Sequence, residues 1–430
     1  MSSIKKVARK IIPKKSLRSV EDRYRTQKAK AAITFHGHPA KKMHVIAITG
    51  TDGKTTTCAY LNEILKSGGF KTAIFTTAFT EINGTRKVNN FHVTVVHVWT
   101  LQKFLKQAKK EAVDWVILEV TSHALDQHKL IGIPVEIAAV TNLTQDHLDY
   151  HGTMEKYAAT KAKLITDFKP KTTVLNADDK WYEYFARKVK GDLLTIGQGR
   201  ATNQIKELHL TSQGTSYSLV GAKGVLKLKT HLIGEFNAYN SAMASTIGET
   251  IGISTDKIIN GVANVPLVPG RMEPIDEGQP FIVLVDFAVT PDALENVLST
   301  LKRIAKGKVR IVFGATGDRD KAKRPIMGEV VAGLADYIYL TDDETYTENG
   351  DSIRASVREG ILKANGADKF IEIADRLEAI RRALKEAQEG DIVVLTGIGH
   401  ENYRNQGGKK IPWDERDVAR QILREIYTVK

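Results

Sequence analysis

The sequence of 430 residues contains one cysteine, Cys58, and its cysteine and histidine residues nowhere show the spacing of a zinc site. An internal disulfide framework is therefore excluded, and we expect the protein to work in a reducing compartment, the cytoplasm. The sequence has no apolar run of the roughly 18 residues that a membrane-spanning helix needs, and no signal-peptide stretch follows the basic N-terminus. Internal repeats and low-complexity tracts are also missing.

Acidic residues are scarce at the beginning of the chain. Residues 1–42 contain thirteen Lys and Arg against Glu21 and Asp22, a net charge of +11, whereas the whole chain carries +13. The rest of the sequence is therefore close to neutral, at +2. Because a nucleic-acid-binding domain concentrates positive charge on its body, we expect no nucleic-acid partner.

The basic segment has an amphipathic pattern. Apolar residues alternate with lysines and arginines from Ile4 to about Ala32, with a break at Pro13, which predicts two short basic helices. One interpretation is a solvated helix packed on the body of the protein. The other is that residues 1–30 contact anionic lipid headgroups, which would make the protein membrane-peripheral, or that they contact an anionic substrate.

After Met43, apolar strands alternate with amphipathic helices, a pattern typical of a parallel sheet covered by helices. Strands are expected at 44–49, 72–76 and 115–120, helices at 55–66 and 101–111, and a β-hairpin at 216–229 around Gly221-Ala222-Lys223-Gly224. A second series of strands, at 282–286, 309–313, 337–341 and 392–396, follows Pro269-Gly270-Arg271. The sequence thus predicts an α/β protein with a basic helical arm (1–42), a central P-loop ATPase-like parallel-sheet domain with a small hairpin insertion (43–267), and a Rossmann-like C-terminal domain (268–430).

The turn after the first strand has the residues of a phosphate-binding loop. A strand leads into a helix through Gly50, Thr51, Asp52, Gly53, Lys54, Thr55 and Thr56. In this setting backbone N–H groups and a helix N-terminus bind phosphates, so we expect Lys54 to contact the β and γ phosphates of ATP and Thr55 to bind Mg²⁺. The spacing is shorter than the usual GxxxxGK[ST] pattern, because Ile48 stands five residues before Gly53.

Several separated segments resemble the Mur ligase superfamily, in particular the UDP-N-acetylmuramoyl-tripeptide synthetases. The resemblance extends over about 45–420 and rests on Glu119-Val120-Thr121-Ser122-His123-Ala124-Leu125, on 141–152 with Asp146-His147-Leu148-Asp149-Tyr150-His151-Gly152, and on 156–161, 234–242, 269–273, 285–294, 313–321 and 323–328. It implies an ATP-dependent ligase that phosphorylates the carboxylate of a UDP-N-acetylmuramoyl-peptide acceptor and joins it to the amine of an amino acid. We expect a monomer.

The resemblance also implies roles for individual residues. Catalytic residues would be Lys54, His147, Lys161 and Arg271. Two Mg²⁺ ions would be bound by Thr55, Glu119, His147 and Lys161, the last as a carbamate. ATP would contact the loop residues together with Asn237, Asn240, Arg271 and Asp286. The two other substrates would contact Thr94, Thr121, Ser122, Asp343 and Glu401.

The sequence departs from the family pattern in functional segments. Asp52 replaces an asparagine, Val289 a histidine, Thr94-Val95-Val96 a Thr-Thr-Pro loop, and Gly397-Ile398-Gly399-His400-Glu401 the run Gly-Lys-Gly-His-Glu. Asp343-Glu344-Thr345-Tyr346 stands in place of the Asp-Asn-Pro-Arg that selects diaminopimelate, so that amino acid does not follow from the sequence. The basic arm replaces the family's N-terminal UDP-binding domain. Two alternatives stay open: a folylpolyglutamate- or cyanophycin-type ligase, and a non-catalytic nucleotide-binding scaffold.

Overall fold

The computed structural model describes residues 14–88 and 97–427. Helices in this part are numbered in chain order: α1 (Lys14–Phe35), α2 (Lys54–Ser67), α3 (Val98–Lys110), α4 (Ser122–Asp126), α5 (Leu148–His151), α6 (Met154–Thr166), α7 (Tyr182–Ala186), α8 (Glu235–Ile251), α9 (Thr255–Ala263), α10 (Pro291–Ile304), α11 (Lys323–Leu334), α12 (Gly350–Lys363), α13 (Arg376–Glu386) and α14 (Glu415–Tyr427). None of the described helices has the length and hydropathy required to cross a bilayer.

The first half of the chain builds one sheet of eleven strands: β1 (His44–Thr49), β2 (Thr72–Phe75), β3 (Phe79–Ile82), β4 (Thr85–Val88), β5 (Trp115–Glu119), β6 (Ile137–Val140), β7 (Thr172–Asn176), β8 (Asp192–Gly197), β9 (Asn203–Thr211), β10 (Gly214–Gly221) and β11 (Gly224–Thr230). Their order is β11-β10-β9-β8-β7-β6-β1-β5-β2-β3-β4. The centre is parallel, with β1 between β5 and β6, and both edges are antiparallel. The expected hairpin forms as β10–β11 and extends the edge of this same sheet.

Strand β1 is apolar between its terminal residues, His44 and Thr49, because both of its faces are covered. Ile46 and Ile48 pack into a core on one side of the sheet, while Val45 and Ala47 pack into a core on the other side. Such burial on two faces is characteristic of a parallel sheet between helical layers. The loop that follows β1 therefore starts from a rigid position.

A second sheet contains β12 (Glu273–Ile275), β13 (Ile282–Asp286), β14 (Val309–Phe313), β15 (Tyr337–Leu340), β16 (Phe370–Glu372) and β17 (Ile392–Thr396). Its order is β12-β13-β17-β14-β15-β16, and all pairs except β12–β13 are parallel. A small two-stranded sheet, β18 (Tyr403–Gln406) with β19 (Lys409–Pro412), follows it. This is the α/β architecture that the sequence predicts.

Helix α1 is the described part of the basic arm. It begins at Lys14 and continues to Phe35, so the second predicted helix forms, whereas the first lies outside the described residues. Ala29 and Ala32 of α1 pack against Val98 of α3. The helix is thus attached to the body of the protein along one face.

Candidate functional site

The loop between β1 and α2 is held in a tight conformation by two glycines. Gly50 and Gly53 have φ values of 150° and 77°, which side chains rarely adopt. A Cβ atom on Gly50 would lie 1.8 Å from Oγ1 of Thr141, and one on Gly53 would lie 2.3 Å from Oδ1 of Asn240. Only glycine fits at these two positions.

The segment after β6 lies directly against this loop. Asn142 Oδ1 accepts hydrogen bonds from the N–H groups of Thr51 at 3.1 Å and Asp52 at 2.9 Å. Oγ1 of Thr141 donates to the carbonyl oxygen of Asp52 at 2.6 Å. Asn142 had no role in the sequence-based site, although it belongs to the segment 141–152 that carries the family resemblance.

Thr55 and Glu119 meet at the ends of two neighbouring elements. Thr55 Oγ1 donates to Glu119 Oε2 at 2.9 Å, and the same carboxylate accepts from the Thr77 N–H at 3.0 Å. Two adjacent oxygen ligands suit Mg²⁺, because this ion usually binds only one or two protein groups together with phosphate oxygens of the substrate. Residues 14–88 and 97–427 contain no group of three or more His, Cys, Asp or Glu arranged for a metal.

The side chains of Lys54 and Lys161 both contact backbone carbonyl oxygens of the loop. Lys54 Nζ donates to the carbonyl oxygen of Thr51 at 2.5 Å, and Lys161 Nζ donates to that of Gly50 at 2.5 Å. Only 1% of Lys161 is exposed, and its Nζ atom lies 4.7 Å from the centre of the Tyr157 ring. Burial, and then the charge of Lys54, lower the pKa of Lys161 well below its ordinary value.

His147 stands next to this group in a left-handed conformation, with φ of 54°, just before α5. Its Nε2 atom lies 3.2 Å from Asp146 Oδ2, and its ring centre lies 4.7 Å from that of His123. Burial lowers the pKa of His147 to about 3, so the imidazole is neutral at pH 7 and able to bind a metal ion.

Two cavities meet at the phosphate loop. The larger, of about 510 Å³, is lined by these residues of the predicted site: Asp52, Gly53, Thr55, Thr56, Asn240, Arg271 and Asp286. The smaller, of about 200 Å³, is lined by Gly50, Thr51, Asp52, Gly53, Lys54, Thr55, Glu119, Thr121, Ser122, His147, Lys161, Arg271, Asp343 and Glu401. Asp52, Gly53, Thr55 and Arg271 line both and form a shared wall.

Residues of both sheets contribute to the shared wall and its surroundings. The Arg271 guanidinium lies 5.0 Å from the centre of the Phe287 ring. Asp286 Oδ2 accepts from the Met272 N–H at 2.8 Å, and burial raises the pKa of Asp286 to about 6. Lys323 Nζ lies 3.5 Å from Asp146 Oδ1 across the two halves of the chain.

The other predicted residues have more local contacts. Asn240 Oδ1 accepts from Oγ1 of Thr57 at 3.2 Å, and Asn237 lies behind Asn240, with its own amide donating to the carbonyl oxygen of Ile233. The side chain of Thr121 caps α4, and Ser122 Oγ lies 3.0 Å from His151 Nε2. Thr94 falls outside the described residues.

One end of the smaller cavity is acidic. Asp343, Glu344 and Glu401 line it together with Tyr346 and Arg319. Tyr346 Oη donates to Glu344 Oε2 at 3.1 Å, and burial followed by the charges of Glu401 and Asp343 raises the pKa of Glu344 to about 7. Asp343 is buried, and its Oδ1 atom has no hydrogen-bond partner among the described residues. The sequence analysis assigns no role to Glu344, Tyr346 or Arg319. The one sequence signal for this part of the cavity is the replacement of Asp-Asn-Pro-Arg by Asp343-Glu344-Thr345-Tyr346.

Comparisons with known proteins identify the family of this chain. The profile of the Mur ligase middle domain matches residues 48–248, and that of the Mur ligase glutamate ligase domain matches 270–399. The UDP-N-acetylmuramoyl-L-alanyl-D-glutamate–2,6-diaminopimelate ligase of Geobacillus kaustophilus is 39% identical over 402 residues, which cover 92% of this chain and 81% of that protein. The ligase of the same name from Bacillus velezensis is 39% identical over 94% of this chain and 83% of its own length.

Solved structures show the same arrangement of elements. A UDP-N-acetylmuramoyl-L-alanyl-D-glutamate–2,6-diaminopimelate ligase superposes with a TM-score of 0.63 at 33% identity, over 90% of this chain and 80% of that one. The folylpolyglutamate synthase of Mycobacterium tuberculosis, complexed with ADP and AMPPCP, gives a TM-score of 0.71 at 18% identity, over 86% and 92%, which reflects the common fold.

The fold and the site together define an ATP-dependent, ADP-forming amide ligase with a phosphate-loop domain and a second parallel-sheet domain. More specifically, the chain belongs to the Mur ligase family. The family resemblance seen in the sequence is confirmed, and residues 1–47 lie outside both matched profiles.

Proposed function

We propose that the protein joins an amino acid to a carboxylate of a UDP-N-acetylmuramoyl-peptide acceptor, in the synthesis of peptidoglycan precursors. The observation that carries this proposal is the convergence of Lys54, Glu119, His147, Lys161 and Arg271 on the smaller cavity, next to the shared wall. A scaffold that only bound nucleotide would not need this whole set. The relatives at 39% identity are named for such a reaction, which favours a muramoyl-peptide acceptor over a folate.

ATP is proposed to occupy the larger cavity with its phosphates on the loop. The free N–H groups at the start of α2 and its helix dipole suit the phosphate end, where Lys54, Thr55 and Thr56 follow in sequence. Asp286 would contact the nucleotide from the second sheet. Asn240 lies against Gly53 and Thr57, so we propose that it fixes the conformation of the phosphate loop. Asn237 accepts a hydrogen bond from Asn240 and supports it from behind.

Thr55 and Glu119 would hold one Mg²⁺ ion, and His147 with a carbamate on Lys161 would hold a second. Bound magnesium would offset the charges of phosphate and carboxylate oxygens. The buried Lys161 amine can add to the carbon of CO₂ and release a proton, which exchanges an ammonium for an anionic oxygen ligand. The unmodified side chain donates to the Gly50 carbonyl, and a carbamate would keep one N–H group on the same nitrogen for this contact.

The reaction would take place at the shared wall. An acceptor carboxylate oxygen attacks the γ-phosphorus of ATP, and ADP leaves, which gives an acyl phosphate. The amine of the amino acid then attacks the acyl carbon, phosphate leaves and a proton is lost from the nitrogen. Arg271 lines both cavities, and it would stabilise charge on the transferred phosphoryl group.

Thr94, Thr121 and Ser122 are proposed to contact the acceptor, and Asp343 and Glu401 the amino acid. The three carboxylates at the acidic end, Asp343, Glu344 and Glu401, favour an amino acid whose distal end is a cation. Diaminopimelate, the substrate in the relatives' names, carries a distal carboxylate as well. In this corner that carboxylate would meet the three acidic side chains and Tyr346, with Arg319 as the cation beside them. A basic amino acid such as lysine or ornithine therefore fits the charge of the site better.

The deciding experiment measures phosphate release with Mg-ATP, a UDP-N-acetylmuramoyl-dipeptide and a panel of amino acids. We expect release that requires both acceptor and amino acid and that falls by roughly 100-fold or more in Lys54→Ala. ATP binding without acceptor-dependent release would establish a scaffold. Release with a folate acceptor alone would establish the folylpolyglutamate alternative.

We infer that the protein acts as a cytoplasmic monomer and that its basic arm, residues 1–30, brings it to an anionic membrane surface. The excess of lysine and arginine in this segment supports the membrane contact.

A further inference from the structure

Helix α1 has a second apolar stripe on the side that faces solvent. Its packed side carries Ala29 and Ala32, whereas Val20, Tyr24, Ala31 and Phe35 are exposed. These four residues follow one another at intervals of four, seven and four, which places them along one line of the helix. Val20, Tyr24 and Phe35 are 66%, 63% and 73% exposed, the largest fractions among the exposed large apolar side chains of the described residues.

Helix α3 continues this surface. The Trp99 ring centre lies 5.3 Å from that of Phe35, and Trp99 is itself 37% exposed. Lys103 and Lys106 follow Trp99 at intervals of four and three residues, and both are exposed. Apolar and basic side chains from two packed helices thus form one continuous patch.

The charge around this patch is strongly positive. Residues 14–42 contain nine Lys and Arg against Glu21 and Asp22, and both acids pair with Arg25, at 3.2 Å and 3.3 Å. Helix α3 contains four lysines and its sequence has no acidic residue. Single exposed apolar side chains are ordinary on a protein surface, but aromatic and aliphatic residues bordered by lysines are typical of helices that lie in a membrane interface.

We propose that Val20, Tyr24, Ala31 and Phe35 of α1, with Trp99, Lys103 and Lys106 of α3, form a docking face for an anionic phospholipid bilayer. The apolar side chains enter the boundary between headgroups and acyl chains, and the lysines bind the anionic headgroups. The segment before α1 has the same composition, with Ile4, Val7, Ile11 and Ile12 among Lys5, Lys6, Arg9 and Lys10. The docking face is therefore next in sequence to further residues of the same chemistry.

The opposite side of α3 points toward the ligase site. Leu101 lines a small cavity together with Glu119, Thr121 and Lys129. Docking would place this cavity about one helix diameter, roughly 10 Å, from the headgroups. The inference rests on the membrane contact proposed above and assigns it to residues of α1 and α3. Docking can be measured whether or not the ligase reaction occurs.

The test is co-sedimentation of the full chain with vesicles of phosphatidylcholine alone and of phosphatidylcholine with phosphatidylglycerol. We expect binding to the anionic vesicles only, and its loss at an ionic strength of about 0.5 M. Tyr24→Ser combined with Phe35→Ser should weaken the partitioning by about tenfold or more. Leu362→Ser combined with Leu377→Ser, which changes two other exposed leucines, should leave it unchanged.

Charge reversal and fluorescence locate the contact. Lys103→Glu with Lys106→Glu should weaken binding by about tenfold or more, whereas Lys227→Glu with Lys229→Glu, on exposed positions of β11, should have little effect. Brominated phosphatidylglycerol should quench the fluorescence of the protein, and Trp99→Phe should remove this quenching.

The proposal would be overturned if the protein bound both kinds of vesicle equally or bound neither. It would equally be overturned if deletion of residues 1–13 abolished binding while the docking-face variants bound normally.

Discussion

Lys161 and Gly50 are 111 residues apart in sequence, yet the lysine Nζ atom donates to the glycine carbonyl oxygen at 2.5 Å. A buried lysine is thereby attached to the loop proposed to bind the phosphates of ATP. Its amine lines the smaller cavity, where the reaction is proposed to take place.

The first prediction concerns the modification of Lys161. Removal of CO₂ from protein and buffer should lower kcat by roughly 10- to 100-fold, because a magnesium ligand is lost, and added bicarbonate should restore it. Labelled ¹³C-bicarbonate should give a carbamate signal in the NMR spectrum that is absent in Lys161→Arg and retained in Lys156→Arg, an exposed lysine of the same helix. Full activity without CO₂ would exclude the carbamate.

Gly53 provides a second prediction with a matched control. Gly53→Ala should weaken ATP binding by about tenfold or more, because its Cβ would lie 2.3 Å from Asn240 Oδ1 and displace the phosphate loop. Gly69 has a similar positive φ of 87° with open space around it, so Gly69→Ala should lower stability by about 1 kcal/mol and leave ATP binding intact. Calorimetric titration with ATP distinguishes the two. Equal ATP affinities for the wild type and Gly53→Ala would contradict the role of this close contact.

The raised pKa of Glu344 predicts how the stability of the folded protein depends on pH. Its pKa is raised from 4.5 to about 7, so the folded protein holds the proton more tightly than the unfolded chain does. The stabilisation is complete below pH 4.5 and is lost as the pH rises through 7. Glu344→Gln should therefore raise Tm by about 2–4 °C at pH 8 relative to the wild type, with little gain at pH 5.

Glu348 serves as the control for this measurement because its shift has the opposite sign. Its hydrogen bonds from Arg324 lower the pKa of Glu348 to about 2, so its contribution is present above the unfolded value and lost as the pH falls. Glu348→Gln should lower Tm at pH 8. If Glu344→Gln and Glu348→Gln shifted Tm in the same direction at pH 8, the charge of the acidic corner would not be the cause.

The fourth prediction concerns the choice of amino acid. Lysine or ornithine should give a higher kcat/KM than diaminopimelate, because Asp343, Glu344 and Glu401 attract a cation and repel a distal carboxylate. Glu344→Asn combined with Tyr346→Arg should shift the ratio toward diaminopimelate by about tenfold or more while the KM for ATP stays constant. A wild-type preference for diaminopimelate would refute the charge argument and leave the ligase assignment intact.

Local patterns predict the strands of this protein well and its side-chain contacts poorly. The strands 282–286, 309–313 and 392–396 were predicted at their observed bounds, since each is a short apolar run between polar turns. In contrast, Asn142 reaches Thr51 and Asp52 through hydrogen bonds between segments about 90 residues apart, which no local pattern encodes.

The residues of the predicted site likewise divide into those that local sequence reveals and those that depend on contacts between distant segments. The residues of the phosphate loop could be named because strand, glycines, lysine and helix are adjacent in sequence, and Glu119, His147 and Lys161 because of a family resemblance. The sequence did not predict that Asn240 lies against Gly53, or that β10 and β11 continue the large sheet. These two contacts depend on how distant elements pack. The functional roles of the predicted site residues stay proposals.

The shared wall has a thermodynamic consequence. Asp52, Gly53, Thr55 and Arg271 line both cavities, so a ligand that fixed their conformation in one cavity would alter the affinity of the other cavity for its own ligand. Such linkage is reciprocal: if ATP tightens the binding of the acceptor by some factor, the acceptor tightens the binding of ATP by the same factor. The binding of the two substrates would then be coupled, and the enzyme would bind them cooperatively.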